Sequence, residues 1–335
     1  MSTDVSTTLI SREELLSLST EILMKWKTPE IYAKSISESL VQAQEAGHAS
    51  HGVIRLPEYT KQIENKVIIP HNDPLIRSEF NATVVIDAQW GWGQIACKLG
   101  AEIATKKARE FGVCVVSIAN CNHIGRVGEY SEILAARNLI SMTWCNTDPA
   151  VAAFGGKDRL FGTNPFAAGI PSNADPVVID FATAASAEGK IRVAKANGVS
   201  LPPGMVIDKD GVESNDPNAF YDGGAILPFG GHKGYCLSLM IELLGGALSG
   251  NHPSMNAAYT KGSGTVMVII DPDKFFGTTQ FKDEISEALT AIRGTTPIKP
   301  QNPVLVPGDI ENQYRQKNRP TIEISTSILN SIKAL

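Results

Sequence analysis

Between residues 83 and 145, apolar runs of strand length alternate with segments of helical periodicity. Thr83–Asp87 (TVVID) is a short strand, and residues 94–110 place Ile95, Leu99 and Ile103 on one face of a helix. Val113–Ile118 is a buried strand with CVV at its centre, residues 127–137 return to helix, and LISMTWC ends a further strand at Cys145. A chain that switches period in this way covers a sheet with helices, so the expected class is α/β in layers.

The flanks read differently. Ser11 with Glu14 forms a capping box, and Leu15, Leu18, Ile22 and Trp26 follow at helical spacing. Thr28-Pro29 opens a second helix that carries Ile36 and Leu40 to about Ala46. Residues 148–227, rich in Gly, Pro, Asn and Asp, hold one clear strand, VVID at 177–180, and are expected to be loops and short turns around a site. A helix over 233–248, a strand over 264–270 and a proline-rich tail with a last short helix complete the reading.

Composition narrows the function classes. Hydrophobic residues make up 43% and charged residues 19% of 335, enough apolar surface for a real core. A net charge of -5 with no basic stretch argues against nucleic acid as a partner. The five cysteines (97, 114, 121, 145 and 236) are odd in number and lack a C-x-x-C pair, which argues against a disulfide framework or a zinc ribbon and for a reducing compartment. The N-terminus does not read as a signal peptide, and the apolar stretch 237–248 is interrupted by Glu242 and two glycines. A cytoplasmic protein away from membranes is expected; the terminal Lys-Ala-Leu is too loose a match to a peroxisomal address to count.

Gly91-Trp92-Gly93-Gln94-Ile95-Ala96 matches the G-x-G-x-x-A dinucleotide pattern after a strand and before a helix. The next strand ends Ser117-Ile118-Ala119-Asn120, however, with no acidic residue for a ribose, and two tryptophans crowd the turn. The expected reading is a tight turn before an ordinary helix, not a Rossmann site.

Four other stretches carry chemistry. Residues 47–57 pack His48, Ser50, His51 and Arg55 into a short segment, with imidazoles suited to proton transfer and a guanidinium suited to a carboxylate. A metal shared by His48 and His51 would lack a third ligand nearby in sequence. His123, in Asn120-Cys121-Asn122-His123-Ile124-Gly125, follows a strand, where open α/β sheets bind ligands. Phe161-Gly162-Thr163-Asn164-Pro165 and Asp180-Phe181-Ala182-Thr183 read as small-residue turns with polar donors. Lys233, within Gly230-Gly231-His232-Lys233-Gly234-Tyr235, sits at a helix start that attracts phosphate, without the spacing of a Walker A motif.

SHGVIRLPEY, NHIG, FGTNP, DFAT and GGHKGY, in that order over residues 10–320, resemble the malate/L-lactate dehydrogenase family that is distinct from the classical lactate and malate dehydrogenases. That family also contains ureidoglycolate, sulfolactate and diketogulonate oxidoreductases and cyclic imino-acid reductases. The resemblance implies a mixed sheet that is not a Rossmann fold, a homodimer, and NAD or NADP as cofactor, with NAD favoured. It implies an NAD(P)-binding domain over 73–294 and a helical segment over 1–72 that packs with the tail 295–335. It also implies His51, His123 and Arg55 as catalytic residues, and Thr147, Asp180, Phe181, Ala182, Lys233, Asp271, Pro272 and Asp273 as cofactor contacts. The substrate would meet His48, Ser50, Arg55, Thr163 and Asn164, with Arg126 or His48 reading a second acidic group. Two departures stand out: Cys236 replaces a usual glycine, and Ala46-Gly47-His48 replaces a usual Arg-Gly pair.

The expected reaction interconverts a small 2-hydroxy acid and its 2-oxo acid, malate/oxaloacetate or lactate/pyruvate first. Ureidoglycolate or sulfolactate oxidation, cyclic imino-acid reduction and, further off, a non-catalytic metabolite-binding protein are the alternatives. His51 is the favoured proton partner, with His123 polarising the substrate oxygen; the residues by themselves leave the two roles interchangeable.

Overall fold

Ser11 ends one element and opens the next. It closes strand β1 (Thr7–Ser11), and its hydroxyl accepts from the Glu14 amide at the start of α1 (Arg12–Lys25), as the capping box predicts. The structure is a computed structural model that describes residues 6–335. α2 (Glu30–Glu45) follows with Pro29 itself in the extended cap position, one residue later than the Thr28 cap expected. A pair of short turns leads to α3 (Leu56–Glu64).

Next come β2 (Leu75–Phe80), β3 (Thr83–Asp87), α4 (Gly93–Phe111), β4 (Val113–Ala119), α5 (Gly128–Ala135) and β5 (Ile140–Cys145). Gly112, at φ +83°, gives α4 its left-handed stop. The middle of the chain is more ordered than its composition suggests. It contains β6 (Val151–Ala152), β7 (Arg159–Phe161), β8 (Pro165–Ile170), β9 (Val177–Ala182), α6 (Glu188–Ala196), β10 (Val206–Ile207), β11 (Glu213–Ser214), α7 (Pro217–Tyr221) and β12 (Ala225–Ile226). The last part holds α8 (His232–Ile241), running on as a π-helical turn over Glu242–Ala247, then β13 (Thr265–Ile270), α9 (Thr278–Arg293), α10 (Asp309–Lys317), β14 (Thr321–Ser325) and α11 (Thr326–Lys333).

The main sheet has the order β2-β3-β4-β13-β5-β8-β9. Only β3 and β4 run parallel, so the sheet is mixed and the fold is not a doubly wound Rossmann domain. A separate five-stranded sheet, β11-β10-β12-β6-β7, occupies the region expected to be loops. Strands of two or three residues are too short to show an alternating pattern, which is why composition pointed the wrong way there. The sixteen-residue α9 also went unread, since Leu289 is its one buried side chain. The DFAT segment is not a turn: Asp180, Phe181 and Ala182 are the last residues of β9.

Two apolar cores organise these parts. One lies between the main sheet and helices α4 and α5, with Ile86, Val116, Ile118, Tyr130 and Leu134 fully buried. The other joins the two ends of the chain. β1 pairs antiparallel with β14, and Leu15, Leu23, Ile36, Leu56 and Tyr59 pack with Ile322, Ile324, Leu329 and Ile332. Trp92, from the turn before α4, belongs to this second core and so pins it to the main sheet.

One edge of the main sheet gathers the functional loops. β3, β4, β5 and β9 end there and β8 and β13 begin there, as shown by the pairs Asp87–Ala119, Ile118–Thr265, Thr265–Cys145 and Pro165–Ala182. No helix among the described residues is long and apolar enough to cross a membrane.

The shared terminal core yields a stability test. Ile322 is fully buried, whereas Leu9, on the paired strand, is two-thirds exposed. Ile322→Ala should lower the unfolding free energy by about 2–5 kcal/mol, and Leu9→Ala by no more than about 0.5 kcal/mol. Urea titration followed by circular dichroism measures both; equal effects would mean that the terminal pairing is not a packed unit.

Candidate active site

The first functional loop is shaped by the far end of the chain. Gly47 has φ +82° and a side chain there would run into the Tyr314 ring, 2.8 Å from an added Cβ. This close approach requires glycine. Also from α10, Glu311 Oε1 lies 3.2 Å from His48 Nε2, while Asn318, just past that helix, donates its amide to the Glu45 carbonyl at 2.9 Å. The loop then winds through two short turns. Arg55 Nε donates to the Ser50 carbonyl at 2.7 Å, and its terminal nitrogen pairs with Glu58 at 2.8 Å. Ser50 Oγ lies 3.1 Å from His51 Nδ1. His48, Ser50, His51 and Arg55 thus lie on one wound loop, with Gly189 at the start of α6 set against Ser50.

The second loop follows β4. Asn122 Nδ2 donates to the carbonyls of Val67, Trp90 and Gly91, tying this loop to the Gly91 turn. An added Cβ at Gly93 would lie 2.4 Å from the Asn122 carbonyl and 2.7 Å from that of His123. The glycine of the false fingerprint therefore serves backbone packing, and the loop occupies the space a pyrophosphate would need. His123 emerges with its ring stacked on that of His51, centroids 5.6 Å apart and planes within 15°. On its other side His123 Nδ1 meets the Tyr59 hydroxyl at 2.7 Å, and Gln94 Nε2 lies 2.9 Å from the same hydroxyl.

Burial and the nearby Arg55 guanidinium set the charge state of this pair. Burial, then the positive charges of Arg55, His48 and Arg126, push His51 down to about 3. Burial, followed by Arg55 and His51, holds His123 well below the ordinary histidine range. Both rings are neutral at neutral pH. Arg126 is buried beside them, pairs with Glu132 at 2.7 Å, and leaves Nη1 without a partner among the described residues. Glu132 also binds Arg315 of α10 at 2.6 Å.

A third group of loops lies along the same sheet edge. Thr163 N donates to Thr147 Oγ1 at 3.0 Å and Thr147 N to Asn164 Oδ1 at 3.1 Å. Asn164 Nδ2 donates to Ser238 Oγ and Glu242 Oε1, both at 2.9 Å. Glu242, fully buried on the π-helical turn, also accepts from Asn146, Gly162 N and the amide and hydroxyl of Ser254. Asn164 is fully buried with both amide atoms engaged, whereas Thr147 and Thr163 stay partly open. Glu242, Tyr59 and Gln94 are not read as site residues from the sequence, although Tyr59 closes SHGVIRLPEY and Gln94 lies in the Gly91 turn, because nothing in their spacing marks a buried polar partner.

Asp180 accepts from the Gly128 amide at 2.9 Å, and burial pushes its carboxyl up. Phe181, partly exposed, continues an aromatic row through Phe166 to Trp144 on one side and to Phe229 on the other. Lys233 is exposed in the first turn of α8 and makes no ion pair among the described residues. A planar ring beside Phe181 and a phosphate near Lys233 suit this surface. Asp271, Pro272 and Asp273 do not join it. They follow the opposite end of β13, about 17 Å of strand away, where Asp271 is buried against Arg109 and caps the next turn. No cluster of three or more His, Cys, Asp or Glu side chains suited to a metal ion occurs among the described residues.

Comparison with known proteins identifies the family. A family model described as malate/L-lactate dehydrogenase matches residues 10–333. The chain belongs to that family and is a dehydrogenase of the kind that acts on hydroxy acids with a nicotinamide cofactor. It is 37% identical to an L-sulfolactate dehydrogenase of Methanocaldococcus jannaschii over 332 residues, 98% of this chain and 96% of that one. It is 33% identical over 299 residues to a Delta(1)-pyrroline-2-carboxylate/Delta(1)-piperideine-2-carboxylate reductase of Pseudomonas syringae pv. tomato, covering 87% of each. A dehydrogenase structure from Sinorhizobium meliloti superposes with a TM-score of 0.91 at 30% identity, covering 98% of both chains.

The neutral histidine pair has a consequence for stability. Unfolding frees both rings to bind protons below about pH 6.5, whereas the folded protein resists protonation until near pH 3 at His51. Their contribution is complete above pH 6.5 and is lost as pH falls from there toward 3. Urea midpoints measured between pH 7.5 and 5, above the range of ordinary carboxylates, should decline, and His51→Gln should make the decline shallower. A flat midpoint in the wild type would contradict the neutral pair.

Proposed function

We propose that this enzyme moves hydride between C2 of a small 2-hydroxy acid and NAD(P), with NAD favoured, and that malate/oxaloacetate is the first substrate pair to test. Lactate/pyruvate is the less acidic variant of the same reading. The observation that carries it is the stacked, neutral pair of imidazoles beside Arg55, at the sheet edge that also presents Thr147 and Phe181. Sulfolactate is the second reading, favoured by the 37% identity to an L-sulfolactate dehydrogenase. It has the same layout, a 2-hydroxy acid with a second anionic group. Ureidoglycolate oxidation and imino-acid reduction would use the same acid–base groups.

The chain's own residues divide the work as follows. Arg55 binds the substrate carboxylate through its guanidinium fork. Its present partner Glu58 is exposed, and exchanging that pair for a substrate carboxylate costs little, since such surface pairs contribute about 0–1 kcal/mol. Neutral His51 accepts the hydroxyl proton in oxidation and, once protonated, returns it to the oxygen in reduction. The Arg55 charge that depresses His51 is offset by the bound carboxylate, so the ring gains basicity when substrate is present. His123 donates a hydrogen bond to the same oxygen. The nicotinamide, when bound, supplies or accepts the hydride. Thr147, Asp180, Phe181, Ala182 and Lys233 are proposed to hold it. His48, Ser50 and Thr163 are proposed to border the substrate, with His48 or Arg126 facing its second anionic group. A homodimer in the cytoplasm completes the proposal, in keeping with five unpaired cysteines.

The test is nicotinamide absorbance with NADH or NADPH and a panel of oxaloacetate, pyruvate, sulfopyruvate, oxalurate and a cyclic imino acid. Turnover of a 2-oxo acid is expected, and His51→Ala should lower kcat by about 10²–10⁴-fold. In the oxidation direction kcat/KM should stay level as pH falls through 6.5, because His51 remains neutral there. Cofactor binding without turnover of any panel member would favour a metabolite-binding role and sink the catalytic reading.

A further inference from the structure

The two histidines differ in what surrounds their ring nitrogens, and the difference assigns their roles. A backbone amide can only donate. The Gly125 N–H points at His123 Nδ1 at 3.3 Å, so Nδ1 is an acceptor. The Tyr59 hydroxyl, 2.7 Å from the same nitrogen, must then place its single proton on that contact. With its proton committed, the Tyr59 oxygen accepts from Gln94 Nε2 at 2.9 Å. Tyr59 and Gln94 are both fully buried, so no water competes for these positions. A neutral imidazole with an accepting Nδ1 carries its hydrogen on Nε2. His51 has no such anchor. Its Nδ1 faces the Ser50 hydroxyl, which serves equally as donor or acceptor and leaves the ring free to change protonation state.

We propose that Tyr59 and Gln94 are positioning residues that lock His123 as the neutral Nε2–H tautomer, making it a fixed hydrogen-bond donor and leaving proton transfer to His51. The proposal rests on the hydride-transfer reading for its catalytic meaning, but the tautomer itself does not depend on any substrate. Burial of the phenol strengthens the lock. Tyr59 is held above the ordinary tyrosine range, chiefly by burial, so it keeps its proton at every pH the enzyme meets. The packing around it is also fixed, with the Trp92 ring set edge-on at 5.3 Å.

The experiment is long-range proton–nitrogen NMR on the full chain labelled with ¹⁵N-histidine, using His123→Gln to assign the His123 signals. The expected spectrum shows one His123 tautomer, protonated at Nε2, with no titration between pH 5 and 8. Tyr59→Phe removes the phenol donor while keeping the ring. Its His123 should sample both tautomers while staying neutral between pH 5 and 8, because burial and Arg55 still hold the ring below its ordinary range. If the hydride-transfer reading holds, kcat should also drop roughly tenfold to a hundredfold with KM little changed. A wild-type His123 protonated at Nδ1, or titrating near 6.5, would overturn the proposal whatever the variant does. The Nε2–H tautomer together with no turnover on any 2-oxo acid would overturn the hydride-transfer reading and leave the lock standing.

Discussion

The hydroxyl of Tyr59 joins the two cores of this protein at the candidate active site. Its ring is buried in the core shared by the chain termini, and its oxygen reaches across to His123 on the loop after β4. Gln94, on the first turn of α4, holds the same oxygen from the main-sheet side. A buried phenol with neither partner would leave an unpaired polar group, worth about 1–3 kcal/mol. The docking of the terminal core onto the sheet therefore has a preferred geometry, and that geometry brings His51 and His123 face to face.

The rest of the site depends on buried polar groups of the same kind. Glu242 collects donors from the loops after β5 and β7 and from the segment before β13. A carboxylate withdrawn from water is stable only when its oxygens are satisfied, and here several donors satisfy it at once. The π-helical turn that carries it supplies the local widening often found where a helix serves a site. Glu132 plays a comparable part between Arg126 and Arg315, connecting α10 to the histidine pair. Such hubs hold loops that have little apolar surface of their own, and they account for a composition rich in Gly, Asn and Asp.

Much of this was legible in the chain. The strands at 83–87, 113–119 and 140–145 and helices α1, α2 and α4 follow from periodicity and capping, although α4 turns its small residues Ala96, Cys97, Ala101, Ala104 and Ala108 inward and leaves Ile95, Leu99 and Ile103 half-buried. The histidine-rich segment at 47–57 and His123 at the end of a strand were readable as candidates because few residues move protons near neutral pH, and the fold brings His51 and His123 together. The turn at Gly91 was recognisable as a false cofactor motif from the missing acidic partner and the two tryptophans that crowd it. The short strands of the second sheet, α9 and β14 were not legible. Two-residue strands carry no period, and β14 exists because β1, some 310 residues away, pairs with it.

The amino-acid sequence by itself determined the α/β class, the helix pair α1–α2 and the inventory of candidate acid–base and anion-binding side chains. These depend on local periodicity and on the identity of single residues. Tertiary structure alone decided which of those side chains meet. It stacked His51 on His123, buried Asn164 against Glu242, and sent Asp271–Asp273 to the far end of β13. It also recruited Tyr59, Gln94 and Glu242, whose roles come from burial and from partners distant in sequence. The physical reason is that a hydrogen bond in a dry interior depends on which groups the packing brings together, and that information is absent from any one stretch of the chain.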